Sequence, residues 1–509
     1  MSGATDDDPL RRSIRATLMP GFAGTELPDW LERRLRGGLG GVCLFGPNIV
    51  SAGQLQALTA AIRAANPLAV IAIDEEGGDV TRLHFATGSP YPGNAILGRI
   101  DDLGYTEEVG RRVGWELRTA GCTVTFAPDA DVNSNPDNPV IGVRSFGTDP
   151  ARVGEHAAAW VRGVQSTGIA ACPKHFPGHG DTALDSHLAT PVVDVSPALL
   201  SKRELVPFRA AIAAGARTVM TSHILLPQVD PDNPATLSRA ALGGLLRTEL
   251  GFDGVIVSDA LDMAGASGTL GIPSAAAAAL AAGCDLLCIG TDNTDEQLDE
   301  IEDAVLAAAA AGTLPPARLG DAAARVRRLA EESIDQTRRI PIPESAGAGS
   351  EPGFGSALIT ASFAVNDRAT RWLAEAPTAY TVVRLDTVSN IAVGGAPWGP
   401  FAEVVADPGS DLAEAWRAVP VLPHGVAASS DSTAAGLDPD RAVLLIGKDN
   451  HRHPFVRELV DRLRGERRDV LVVDMGWPSD DLAYADIATY GASRLAGRAL
   501  LELLTRGPA

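Results

Sequence analysis

Eight short apolar runs separated by alanine-rich stretches fill the first two-thirds of this chain, and they limit its folding more than any other feature. They read ATLMPGF (16–22), GVCLFG (41–46), LAVIAIDEEGG (68–78), VTFAPDADV (124–132), IAACPKHFPGH (169–179), TVMTSHI (218–224), GVIVSDALDM (254–263) and CDLLCIGT (284–291). Each has the length of a strand, and none alternates cleanly between apolar and polar residues. That is the pattern of strands buried on both faces, as when helices cover a parallel sheet. Helix candidates such as SAGQLQALTAAIRAA (51–65) and ELVPFRAAIAAG (204–215) lie between them. Eight strand–helix repeats predict an α/β fold built on a (β/α)8 TIM-like barrel. A second regularity agrees: Asp74, Asp131, Lys174, His175, His223 and Asp259 all stand where an apolar run ends. In a parallel barrel the C-terminal strand ends share one face, and substrate sites are built there.

At 509 residues the chain exceeds one ordinary core, so a second domain is expected. PIPESAGAGSEPGFG (341–355) has the composition of a linker. Beyond it, YTVVRL (380–385), AVLLIGKDN (442–450) and DVLVVDMGWP (469–478) read as strands, and ATYGASRLAGRALLELL (488–504) reads as a closing helix. The expected division is a barrel over 1–340, a linker over 341–355 and a smaller α/β domain over 356–509. The last contains neither GxGxxG nor GxxxxGK[ST], so the sequence offers no nucleotide cofactor site.

Composition narrows the function classes. A net charge of −21 argues against nucleic acid or an anionic membrane as partner, because both demand basic patches. An anionic substrate would need local positive groups inside the site. The start, MSGATDDDPLRRSIRATLMPGF, lacks the apolar core of a signal peptide. The most apolar stretch, AAAAALAAGCDLLCIG, is divided by Gly283 and Asp285 into a helix end and a strand. Five cysteines without paired spacing read as reduced thiols, and a cytoplasmic location is the expectation.

The chemistry concentrates in KHFPGHGDTALDSH (174–187), which holds three of the nine histidines, two aspartates and a lysine. Such a cluster suits a metal site, a general acid/base device or a sugar-binding loop. Asp259, directly after the apolar GVIVS, falls on the same barrel face, where a carboxylate can attack an electrophilic carbon and form an ester. Alone it would read as a strand-end residue satisfying loop amides.

Taken in order, DEEGGDVTRL, KHFPGHGDTALDSH and GVIVSDALDM resemble the β-N-acetylglucosaminidase branch of the family-3 glycoside hydrolases, in its two-domain form. The resemblance covers the whole barrel. It implies a retaining exo-glycosidase that works through a covalent glycosyl-aspartate, with no cofactor and no metal. Asp259 matches the nucleophile, His187 the acid/base, and Asp185 its partner. Imidazole titrates near neutrality and so can give and then take a proton, while a carboxylate on its other nitrogen fixes the tautomer. The remaining matches are substrate-binding: Asp74, Arg82, Arg144 in GVRSFG, and the Lys174–His175 pair. Without the resemblance, Arg82 and Arg144 read as salt-bridging surface arginines. Asp79 departs from the pattern, since arginine is frequent there.

The substrate so implied is a small glycoside carrying terminal N-acetylglucosamine, from a chitooligosaccharide or a cell-wall fragment. Two alternatives stay within the class: a phosphorylase using inorganic phosphate as acceptor, and a broader β-glucosidase. Outside it stands a metal-dependent barrel hydrolase using His175, His179, Asp185 and His187. Against that, the first strand lacks the HxH of the barrel amidohydrolases. His179, flanked by glycines, reads as a loop-shaping histidine. His223 reads either as lining the site or as satisfying a buried carbonyl, and His451 and His453 as surface histidines.

Overall fold

The computed structural model describes residues 8–184, 186, 190–268, 270–346, 354–375, 377, 379–387, 391–467 and 469–506. The chain divides into two compact units. The first comprises Met1–Glu76, Asp102–Ile141 and Ser145–Ser350, and the second Gly77–Asp101, Gly142–Arg144 and Glu351–Ala509. Two stretches from within residues 1–340 therefore group with the second unit.

The first unit is the expected barrel. Its strands are β1 (Leu18–Met19), β2 (Gly41–Leu44), β3 (Val70–Ile73), β4 (Val124–Thr125), β5 (Ala170–Ala171), β6 (Thr218–Met220), β7 (Val255–Ser258) and β8 (Leu286–Cys288). All eight lie inside the eight apolar runs. They pair in parallel as two arcs, β2-β3-β4-β5 and β1-β8-β7-β6. Cys43 N–H donates to Pro20 O at 2.9 Å beside β1, and Met220 N–H to Pro173 O at 3.0 Å beside β5, which closes the ring.

Strand residues divide between two buried surfaces. Met19, Cys43, Ala72, Val124, Cys172, Met220, Val257, Leu286 and Cys288 belong to one buried cluster that fills the barrel. Their neighbours Leu18, Val42, Ile71 and Leu287 are equally buried. The absence of alternation in the sequence follows from this double burial.

The helix candidates appear as Ala52–Ala65, whose first turn is capped by the Ser51 side chain, and Leu205–Ala213. After β6 the chain forms a short antiparallel hairpin, Leu225–Leu226 with Asp230–Pro234, and a turn at Ala235–Leu237.

The second unit is a six-stranded sheet with β9 (Ala364–Val365), β10 (Tyr380–Asp386), β11 (Val421–Gly425), β12 (Ala442–Gly447), β13 (Val470–Asp474) and β14 (Ile487–Ala488). The order is β9-β14-β13-β12-β10-β11, with β9 antiparallel and the rest parallel. Alternate residues of β12 enter opposite cores: Leu444 and Ile446 join Trp372 and Leu500, while Val443 and Leu445 join Val456 and Leu459. The sequence reading differs at the end of the chain. Ala488 closes a strand, and the last helix runs over Arg494–Arg506. Gly491 and Ser493 lie in the intervening turn, where a helix start is delayed.

Candidate active site

Four strands of the first unit end in ionisable residues, and side chains after β3 and β4 meet those after β5. Asp74 and Glu76 follow β3 two residues apart. Lys174, past the end of β5, places Nζ 2.6 Å from Asp74 Oδ1 and 2.8 Å from Glu76 Oε1. The lysine is 3% exposed. A buried ammonium needs paired carboxylates to stay charged, and here it has two.

Asp129 and Asp131 follow β4 with the same spacing, and both are buried. His175 Nδ1 lies 2.7 Å from Asp131 Oδ2, and its backbone N–H is 3.2 Å from Oδ1. The same Oδ1 accepts the His179 N–H at 2.6 Å. One carboxylate thus holds both ends of the HFPGH turn and orients the first imidazole. The sequence places Asp131 at a strand end but gives it no task. It gives Glu76 none either. The signal for both is the repeated acid-x-acid spacing after β3 and β4, which puts both carboxylates on one side of an extended chain.

His179 is buried with Nδ1 2.9 Å from Thr182 Oγ1 and Nε2 3.1 Å from Ser186 Oγ. Both ring nitrogens are engaged within its own loop, in keeping with a loop-shaping role. Asp185 and His187 lie outside the described residues. Asp129, Asp131 and His175 could together offer three ligand atoms to a cation. The Asp131 oxygens also accept N–H bonds from His175 and His179.

Asp259 follows β7, and its Oδ1 accepts the Ala260 N–H at 2.8 Å. His223 donates Nε2–H to the Ala260 carbonyl at 2.9 Å, which makes it the buried-carbonyl histidine of the two readings offered by the sequence.

Arg82 and Arg144 belong to the second unit and are buried, 9% and 5% exposed, not surface arginines. Arg82 Nη2 donates to Ala392 O at 2.8 Å. The Arg144 carbonyl accepts Asn94 Nδ2–H at 2.6 Å, which fixes the short turn Gly142–Arg144. Asp79 accepts the Ala492 N–H at 2.8 Å, just ahead of the last helix. Its departure from arginine therefore has a local structural use.

The barrel carries paired acids, a clamped lysine and an aspartate at its strand ends, and comparison with known proteins supplies the class. Residues 25–329 match the family model described as "Glycosyl hydrolase family 3 N terminal domain". The chain belongs to glycoside hydrolase family 3. A β-hexosaminidase of Stenotrophomonas maltophilia is 37% identical over 339 residues, which covers 61% of this chain and 97% of that protein. The β-hexosaminidase A of Pseudoalteromonas piscicida is 40% identical over 269 residues, covering 48% of this chain and 45% of that longer relative. A family-3 β-N-acetylglucosaminidase from a Paenibacillus species superposes with a TM-score of 0.84 at 30% identity, covering 98% of this chain and 97% of that one. The protein is thus a glycoside hydrolase acting on small carbohydrates. No described helix is long and apolar enough to cross a membrane.

Proposed function

We propose that this protein is a retaining exo-β-N-acetylglucosaminidase. The observation that carries the reading is Asp259 at the end of β7, its carboxylate oriented by the Ala260 N–H. A carboxylate held this way can attack an anomeric carbon while the glycosidic bond to the leaving oxygen breaks. His187 gives that oxygen its proton, and Asp185 steadies the resulting charge on the imidazole. Neutral His187 then takes a proton from water, which attacks the anomeric carbon and releases Asp259 as the carboxylate. Asp74, with Lys174 and His175, holds sugar hydroxyls. Arg82 and Arg144 are assigned to sugar binding on the resemblance of their motifs alone. The substrate class is supported by the β-hexosaminidase relatives and the β-N-acetylglucosaminidase of similar structure.

Water is the acceptor we assign. Lys174 is bonded to two carboxylates, so it carries no surplus charge for a phosphate. The five buried thiols fit a reducing compartment, and we assign the enzyme to the cytoplasm.

The test is turnover of a nitrophenyl N-acetyl-β-glucosaminide with and without millimolar phosphate, with the first-formed sugar followed by NMR. The β-anomer of free N-acetylglucosamine is expected, at a rate indifferent to phosphate. Asp259→Ala should remove nearly all turnover and leave the fold intact. A sugar phosphate product would replace hydrolysis with phosphorolysis, and an α-anomer of the free sugar would rule out the ester.

A further inference from the structure

The backbone that carries Asp259 is held from behind by a chain of side-chain hydrogen bonds. The Asp259 N–H donates to Thr221 Oγ1 over a long 3.4 Å. Thr221 Oγ1 lies 2.7 Å from Thr236 Oγ1, and Thr236 Oγ1 lies 2.8 Å from His223 Nδ1. His223 Nε2 completes the path at 2.9 Å from Ala260 O. The chain therefore starts on the amide of Asp259 and ends on the carbonyl of the next residue. That same residue's N–H bonds the Asp259 carboxylate.

A carbonyl only accepts, so His223 Nε2 carries a proton. The Ser222 carbonyl, with two lone pairs, accepts both the Thr236 hydroxyl at 2.9 Å and the Thr236 N–H at 3.1 Å. Thr236 Oγ1 is thus the point where Thr221, His223 and the Ser222 carbonyl meet. Thr221, His223 and Thr236 are all fully buried, where satisfied polar chains rigidify and unsatisfied ones are costly. The hairpin after β6 gains a purpose here: it returns the chain so that Ala235 N–H bonds Ile224 O at 2.8 Å and Thr236 enters the network.

We infer that Thr221, His223 and Thr236 are positioning residues for the nucleophile, a role that rests on the reading of Asp259 as the attacking carboxylate. Covalent catalysis depends on near-attack geometry, and a displacement of about 1 Å can cost roughly a hundredfold in rate. The network fixes the peptide group before Asp259 and the one after Ala260, on either side of the Ala260 N–H that bonds the carboxylate.

Thr236→Val keeps the shape and cuts the chain at its centre, while Thr236→Ser restores the hydroxyl. Both are compared with wild type on a dinitrophenyl N-acetyl-β-glucosaminide, whose leaving group needs no proton, so the burst reports nucleophilic attack alone. Thr236→Val is expected to slow glycosyl-enzyme formation roughly ten- to hundredfold with KM little changed. Thr236→Ser should return close to wild type at similar melting temperature. A fluorosugar that accumulates the covalent intermediate, followed by peptide mass spectrometry, locates the label independently. Labelling of wild type at another carboxylate means that Asp259 is not the nucleophile. Labelling at Asp259 with an unchanged burst rate in Thr236→Val overturns the positioning role and leaves the nucleophile standing. Should Thr236→Val not fold, His223→Gln and Thr221→Val cut the same chain at other links, and wild-type burst rates in them have the same meaning.

Discussion

A single buried carboxylate, Asp131, takes the His175 ring N–H and two backbone N–H groups, so it sets both the tautomer of His175 and the path of the turn that follows. Asparagine has the same outline but only one acceptor oxygen, and its amide would face donors it cannot satisfy. Hydrogen bonds to charged groups contribute about 1.5–3 kcal/mol each. Asp131→Asn is therefore expected to lower kcat/KM by roughly ten- to hundredfold. Nitrogen-15 NMR of the histidine rings checks the cause: the His175 Nδ1 proton should be well defined in wild type and redistributed in the variant. Reduced activity with an unchanged His175 signal would mean that Asp131 serves only the turn. The meeting of Asp74 with Lys174 was legible in the sequence, because each closes an apolar run and barrel topology brings such ends together. The tasks of Asp131 and Glu76 were not. An acid in a strand-end loop looks the same whether it is solvated or clamping a neighbour, and only burial distinguishes the two.

At the scale of elements, the loop after β5 is fastened to the start of the helix Leu205–Ala213. Arg203 bonds Asp181 of the loop at 2.5 Å and Glu204 at 2.5 Å. Gly178 adopts φ +129°, and a Cβ there would stand 2.7 Å from Glu204 Cβ, so both its backbone and its space require glycine. Burial pushes the Glu204 carboxyl up from 4.5 to about 7, against the opposing pull of Arg203. A folded pKa above the unfolded one means that the folded chain holds the proton more tightly. Stability contributed by protonated Glu204 is thus present below about pH 4.5 and lost as pH rises to about 7, by an amount on the order of a few kcal/mol. Glu204→Gln cannot titrate, so its melting temperature should gain on wild type between pH 5 and pH 8. A constant gap between the two across that range would show that Glu204 is ionised throughout. Why some elements were legible and others not follows from burial. The eight barrel strands declare themselves because both faces are apolar. β11 does not, since it lies at the sheet edge, half exposed, with Pro423 and His424 within it. The hairpin strand Asp230–Pro234, read as DPDNP, has loop composition, and its pairing comes from the tertiary frame around it.

For the whole molecule, chain order and spatial grouping diverge. Gly77–Asp101 and Gly142–Arg144 follow barrel strands in sequence yet group with the second unit, carrying Arg82 and Arg144 with them. Periodicity reveals that an element exists, not which core accepts it, so this regrouping was closed to sequence reading. One further feature distinguishes the two units. All five cysteines, Cys43, Cys122, Cys172, Cys284 and Cys288, are buried in the first, and the second contains none. Burial pushes the Cys122 and Cys172 thiols up to about 12 and raises Cys284, while contact with Cys43 and then burial raise Cys288. A thiol modified only as the thiolate is then doubly silent in the native barrel, by access and by charge. Alkylation at pH 8 should leave native protein unmodified and proceed in step with barrel opening as denaturant is added. Rapid modification of native protein would contradict the burial. Because the second unit has no sulfhydryl, the chain carries a clock that runs for one half of the molecule only. Tryptophan emission, from residues in both units, reports the other half by difference. The order in which the two units come apart can thus be timed on the unaltered protein, with no reporter introduced.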